Sequence, residues 1–534
     1  MTTKNFKYLA MPAVLALALT GCFGSSSPDE RVVVPPDPVV VGPEVPDALA
    51  VVVNGNVVDV DSVGIIETAT ITFRENGAAS ESIATVDGDP ITQLVTEDGS
   101  FSFTLRDGAS PDSVRLLVTA DGYFTKRFDI DFTTDEEEIE TELGLLARES
   151  DDTADAAVED DVANASTTDA ITASAESENA GGDASVPQGT QLLTASGDPI
   201  TGTSVSLRVG AVNPNSSAMG SSVPAGLNAA NATEVAVPVG VVDVTMRDNT
   251  GVSVKRFSNP ITVGVRLPIS TEIPGGARTI TTGDEFDVSS FDEDTGEWSN
   301  EDAKAVVGQL NAAGTAYRAS FETDHLTFFG ITGNEPACTQ AFTMSFSGDS
   351  LPNSRLFVIV TSRDGSISGS VPGDATSATV IRANFMSIAG IKANATARVV
   401  VRAPGSGAVW YDSEEEVPIC GNLPEVELSN PVQNTVSEVG SLIAVCSNDS
   451  TVRTDVPGAV VKFRETGSRS AWSTARGNGE GGYNFANLNG DADSYDVKVN
   501  PRIADEFTTT ITPDGDDESI EFNIQCEVVT GTGS

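Results

Sequence analysis

From residue 49 onward, apolar and polar residues alternate in short runs separated by turn residues. Ala69-Thr70-Ile71-Thr72-Phe73 alternates, as do Ser100-Phe101-Ser102-Phe103 and the stretch from Arg127 to Phe132. A period of two puts successive side chains on opposite faces of a strand, so each run predicts a half-buried strand. Asp98-Gly99, Asp107-Gly108 and Asp121-Gly122 supply turns between them. No segment of 49–147 sustains an amphipathic helical period with caps. The pattern returns in Val239 to Met246, Asn259 to Pro268, Phe342 to Phe346, Arg355 to Val360 and Ala397 to Val401. These runs predict an all-β chain of several β-sandwich domains in tandem, joined by disordered linkers.

Two stretches break the pattern. Residues 22–48 carry Ser25-Ser26-Ser27 and then Pro35, Pro36, Pro38, Pro43 and Pro46 among valines. Proline at that density favours extended chain at about 3.1 Å per residue, so this stretch is expected to be a tether. Residues 148–186 are dominated by Ala, Ser, Thr, Asp and Glu. From Asp135 to Asp183 there are 17 acidic residues and one basic one, Arg148. Such a composition offers little apolar surface to offset ordering entropy, and predicts an acidic disordered linker. The expected domains are therefore 49–147, 187–333, 334–431 and 432–528, with a tail at 529–534.

The N-terminus changes the picture. Lys4 and Lys7 precede an apolar run from Tyr8 to Leu19, followed by Leu19-Thr20-Gly21-Cys22. A basic start, a short apolar core and small residues describe a secretory signal over 1–21, too short to span a bilayer as a stable helix. The last four residues resemble the bacterial lipobox. That resemblance implies cleavage before Cys22 and lipidation of Cys22, and Phe23 rather than Asp after it implies export to the outer membrane. Acyl chains contribute about 0.8 kcal/mol per buried methylene, enough for several to hold the chain on a membrane.

With Cys22 lipidated, four cysteines remain, all in the C-terminal half. In an exported chain they read as two disulfides, of which three connectivities exist. Cys338–Cys420 with Cys446–Cys526 is favoured, because each pair brackets one candidate domain. Closing loops of that size contributes about 4.5 kcal/mol each on the chain-entropy estimate. No CxxC spacing points to zinc or thiol redox chemistry. The net charge of −48 repels phosphate backbones, which argues against a nucleic-acid partner. It also repels anionic lipid, leaving the acyl anchor as the membrane contact.

An internal repeat ties the two ends of the chain together. Ala69-Thr70-Ile71-Thr72-Phe73-Arg74-Glu75-Asn76-Gly77 matches Ala459-Val460-Val461-Lys462-Phe463-Arg464-Glu465-Thr466-Gly467, and Asp98-Gly99-Ser100-Phe101-Ser102-Phe103 matches Gly481-Gly482-Tyr483-Asn484-Phe485. Both copies resemble the carboxypeptidase regulatory-like domain, through Asp98-Gly99-x-Phe101-x-Phe103 with Gly122-Tyr123, and through Gly482-Tyr483-x-Phe485 with Tyr495-x-Val497-x-Val499. The resemblance implies transthyretin-like (Ig-like) β-sandwiches that accompany enzymes without being catalytic. The fourth domain lacks the late Gly-Tyr. Residues 187–333 are similar to a β-rich domain of exported bacterial lipoproteins, through Pro260-Ile261 to Leu267-Pro268, Gly283-Asp284, Asp292 to Trp298 and Phe321 to Thr327.

Candidate chemistry is sparse. His325 is the sole histidine. Its neighbour Asp324 is expected on the opposite strand face, unable to orient it. Gly348-Asp349-Ser350-Leu351 spells a lipase and esterase signature, but no histidine follows Ser350 to serve as its base, so a turn is expected. Asp292 and Asp294, like Asp491 and Asp493, place oxygens at alternate positions and are candidate calcium ligands, although neither stretch completes a twelve-residue calcium loop. Trp298, Trp410 and Trp472, one in each of the last three domains, suit cores better than a sugar-stacking strip. The expectation is a non-catalytic outer-membrane lipoprotein acting in surface adhesion, recognition or envelope structure, with a protein or glycan partner. The alternative is a carbohydrate-binding or carbohydrate-processing accessory at the cell surface.

Overall fold

The computed structural model describes residues 38–133, 136–276, 278–405 and 407–529. The signal, Cys22 and the first part of the expected tether lie outside them. The chain is built almost wholly of strands, arranged as β-sandwich domains. Among the described residues the only helices are Ser217–Ser222 and Ala383–Ile388, and none is long and apolar enough to cross a membrane.

The sequence repeat is a structural repeat in its main strands. In the first module Val52–Asp59 pairs in parallel with Glu138–Leu145 and antiparallel with Ser100–Leu105. In the last, Thr435–Cys446 pairs in parallel with Glu518–Ile524 and antiparallel with Gly482–Asn489. The facing sheets correspond too. Thr70–Glu75, Ser113–Thr119 and Lys126–Asp131 run as an antiparallel trio, matched by Val460–Glu465, Tyr495–Asn500 and Phe507–Ile511. Alternation does the sorting: Ile71, Phe73, Phe101 and Phe103 all turn into one core, as Val461, Phe463 and Phe485 turn into the other. The Asp98-Gly99 turn is set locally. Asp98 Oδ1 accepts bonds from Ser100 N and Oγ, and Gly99 takes a φ of 74°, which favours glycine.

Residues 148–186 are not a linker. Thr153–Ala163, Ile171–Glu176 and Gly181–Val186 are strands of a 13-stranded sheet that continues to Phe328–Pro336. The linker expectation rested on the lack of large apolar residues, but a strand needs only small ones where another layer lies close. Ile171, Ala173 and Ala175 alternate inward, and a side chain on Gly182 would meet Val242 and Ala211 at 3.0 and 3.2 Å. Among the acidic residues here, Asp155 is matched to Arg208 at 2.8 Å and Asp183 to Arg318 at 2.7 Å, while Glu159, Asp161, Asp169, Glu176 and Glu178 are exposed. This domain therefore begins near residue 150, not 187, and one core runs through it from Ala154 to Ile331.

The third domain packs Phe342–Gly348, Ser377–Ile381 and Val426–Leu428 over a sheet of Ser366–Pro372, Arg355–Thr361, Thr396–Arg402 and Val409–Asp412. The disulfide pairing favoured from the sequence is the one formed, Cys338–Cys420 and Cys446–Cys526.

Tandem in sequence, the domains are not strung out in space, and the end of the expected tether is docked. Val39–Val41 pairs antiparallel with Glu527–Val529, Val45 packs on the core of the last module, and Arg502 donates to the Asp47 carbonyl at 2.7 Å. The expected tail accordingly starts inside a strand.

Candidate functional site

The first module touches all three other domains, through an apolar cluster against the middle domain and through polar groups at each joint. Against the last module, the Asn56 side chain donates to the Trp472 carbonyl at 2.9 Å and accepts from its N–H at 3.0 Å. Lys462 Nζ donates to the Phe101 carbonyl at 2.7 Å, and Lys498 reaches Asp98 at 3.1 Å. Lys462 occupies the place of Thr72 in the repeat, so a divergence between the copies makes their clasp. Burial, with repulsion from Lys498, pushes the Lys462 ammonium down to about 7.

Against the middle domain, the buried Arg148 bonds both Asp243 and Asp155 and stacks over Phe124 at 4.5 Å. Against the third domain, Arg402 bonds Glu142, both buried, while Arg355 reaches Glu136 and Arg382 reaches Asp131, each at 3.1 Å. Burial raises the Glu142 carboxyl despite the arginine beside it.

These three domains line an open cavity of about 550 Å³. Its wall is drawn from the first module at Val58, Lys126 and Phe128, from the loop around Leu227 in the middle domain, and from Ile359 and Phe385 in the third. That size and mixed lining are those of small-molecule sites.

The residues singled out from the sequence lie elsewhere. His325 ends a strand, and there the structure departs from expectation. His325 pairs with Arg256 beyond a register shift in the ladder, and its Nδ1 sits 3.2 Å from Asp324 Oδ1. Nε2 lies 3.4 Å from Glu301, which accepts a bond from Ser290, so the ring is held between two carboxylates against Phe329. Ser350 is in an exposed loop whose neighbour Asp349 accepts from Asn430 N at 2.8 Å. Asp292 spends its carboxylate on its own turn, accepting from Asp294 N at 2.8 Å and Thr295 N at 3.2 Å. Glu293 in the same loop is turned inward toward Lys255, and burial beside Asp243 pushes it up to about 7. Asp491 accepts from Asn434 at 2.9 Å, and Asp493 is exposed. Among the described residues no three His, Cys, Asp or Glu side chains are grouped as metal ligands.

None of the tryptophans forms an exposed platform. Trp410 and Trp472 are 3% and 5% exposed, and Trp298 packs between Phe291 and Phe328 while donating to the Pro224 carbonyl. The joints and the cavity were invisible in the sequence. The one signal available was the lysine standing at position 462 where the other copy has Thr72.

No family model matches the chain, and no curated protein matches it. Among solved structures it is similar to the Bacillus anthracis TIE protein, at 10% identity over 93% of this chain and 76% of that one, with a TM-score of 0.14. It is also similar to BcpA, the major pilin subunit of Bacillus cereus, at 9% identity over 89% and 99% with a TM-score of 0.13. The full-length major pilin RrgB from Streptococcus pneumoniae gives 9%, 89%, 99% and 0.14. At these scores the similarity carries no argument about arrangement or activity.

Proposed function

We propose that this chain is an exported lipoprotein of the outer membrane, anchored through Cys22, that serves in surface adhesion, recognition or envelope structure rather than catalysis. The observation that supports it best is that all four cysteines beyond Cys22 are used in two disulfides, each closing one β-domain. Such bonds persist in oxidising compartments, and the lipobox supplies the address. We read the first and last modules as carboxypeptidase regulatory-like sandwiches whose polar clasps hold the domains in a fixed relation. A protein partner is favoured over a glycan, because the tryptophans that would stack on sugar are turned inward.

Metabolic labelling with a fatty-acid probe is expected to mark the protein and to fail on Cys22→Ala, with release of that variant from the membrane. Labelling that persists in Cys22→Ala would overturn the anchor. Protease added to intact cells then separates the roles. Cleavage of the domains before permeabilisation favours adhesion; protection until permeabilisation favours a periplasmic structural role.

A further inference from the structure

Lys126 is 7% exposed at the wall of the three-domain cavity. Its Nζ donates to the Ser221 carbonyl at 2.7 Å and lies 5.3 Å from the Phe128 ring centroid. Among the described residues no carboxylate comes within ion-pair distance of it. An ammonium has three donors, and a buried charge is costly unless paired. The other cavity-lining charges are matched already. Arg127 bonds Asp129 at 3.0 Å, Arg398 bonds Asp412 at 2.9 Å, and Asp364 is held by Lys392 at 2.7 Å. Arg402 is matched to the buried Glu142. Asp61 is exposed and accepts a hydrogen bond from the Ser150 side chain. One buried ammonium without a carboxylate thus lies at the wall of a space to which Val58, Leu227, Ile359 and Phe385 contribute apolar surface.

We propose that the cavity binds a small amphipathic anion, with its acidic head on Lys126 and its apolar body against these aliphatic and aromatic side chains. The head completes the donor set of the one lining ammonium that the fold leaves without a counter-charge, and the body removes apolar wall from water.

The test is calorimetric titration of the full mature chain with dodecanoate below its micelle concentration, beside dodecan-1-ol and dodecyltrimethylammonium. One-to-one binding of dodecanoate is expected, at least ten-fold tighter than either counterpart. Lys126→Met, which fills the same space without charge, is expected to weaken dodecanoate binding at least ten-fold. Val409→Trp, at a lining residue 46% exposed, is expected to weaken it while leaving Lys126 untouched. Absence of dodecanoate binding overturns the proposal, as does equal binding of acid and alcohol, or full binding by folded Lys126→Met. Should Lys126→Met fail to fold, Val409→Trp decides: unchanged binding there overturns the site.

Discussion

The Phe73 ring meets Phe103 edge-on, with centroids 4.8 Å apart and planes at 63°, and in the other copy Phe463 meets Phe485 the same way at 5.3 Å and 77°. Each pair joins the two sheets of its sandwich across the core. Two positions matched in the sequence are therefore two positions matched in packing.

Replacing either centre should have the same local consequence. Phe73→Ala and Phe463→Ala each remove a large buried side chain, and each is expected to cost about 3–5 kcal/mol. Urea unfolding followed by hydrogen exchange should place the loss in the module carrying the substitution. A loss spread evenly over both modules, or one well under a kilocalorie, would contradict the equivalence.

The Lys462 clasp predicts a pH dependence of definite sign. The folded chain releases this proton at about 7, whereas an unfolded lysine holds it to about 10.4. Below 7 the wild type buries a charge; between 7 and 10.4 the unfolded chain binds more protons, so this group's contribution to stability rises with pH. Asp98, Glu506 and Lys498 face the same ammonium and stay in place in a Lys462→Met variant. That variant should lead the wild type in stability below pH 7, with the lead shrinking toward pH 10. Melting curves at matched pH values check it, and a constant difference would refute it.

The Arg402–Glu142 pair couples the third domain to the first. Arg402→Met leaves a buried carboxylate without its partner and is expected to cost about 3–5 kcal/mol. The double variant Arg402→Met/Glu142→Leu should recover much of that. A double-mutant cycle measures the coupling, and purely additive losses would show that the two side chains act independently.

Cys526 adjoins Glu527–Val529, the strand that pairs with Val39–Val41. The double replacement Cys446→Ser/Cys526→Ser is expected to lower stability by about 2–5 kcal/mol and to free that terminal pair. Limited proteolysis read by mass spectrometry should then cut near residues 39–48 and 527–529 first. An unchanged cleavage pattern would count against the disulfide as the clamp.

What the sequence determined by itself is local. Period-two alternation decides which face of a strand each side chain takes, so the all-β character, the repeat and the turns at Asp-Gly were legible one segment at a time. The cysteine spacing bracketed single domains, and the bonds followed. Residues 148–186 failed that reading because burial of Ala173, Ala175 and Gly182 depends on how near Val242 and Ala211 come, and composition carries no distances. The contact of His325 with Asp324 failed it for a related reason, since the register shift in the ladder beside His325 depends on the partner strand. The clasp of Lys462 on Phe101, the Arg402–Glu142 pair and the cavity beside Lys126 were decided by tertiary structure alone. Each joins residues far apart in the chain, and the low-dielectric setting that gives such charges their meaning exists only after the domains have packed.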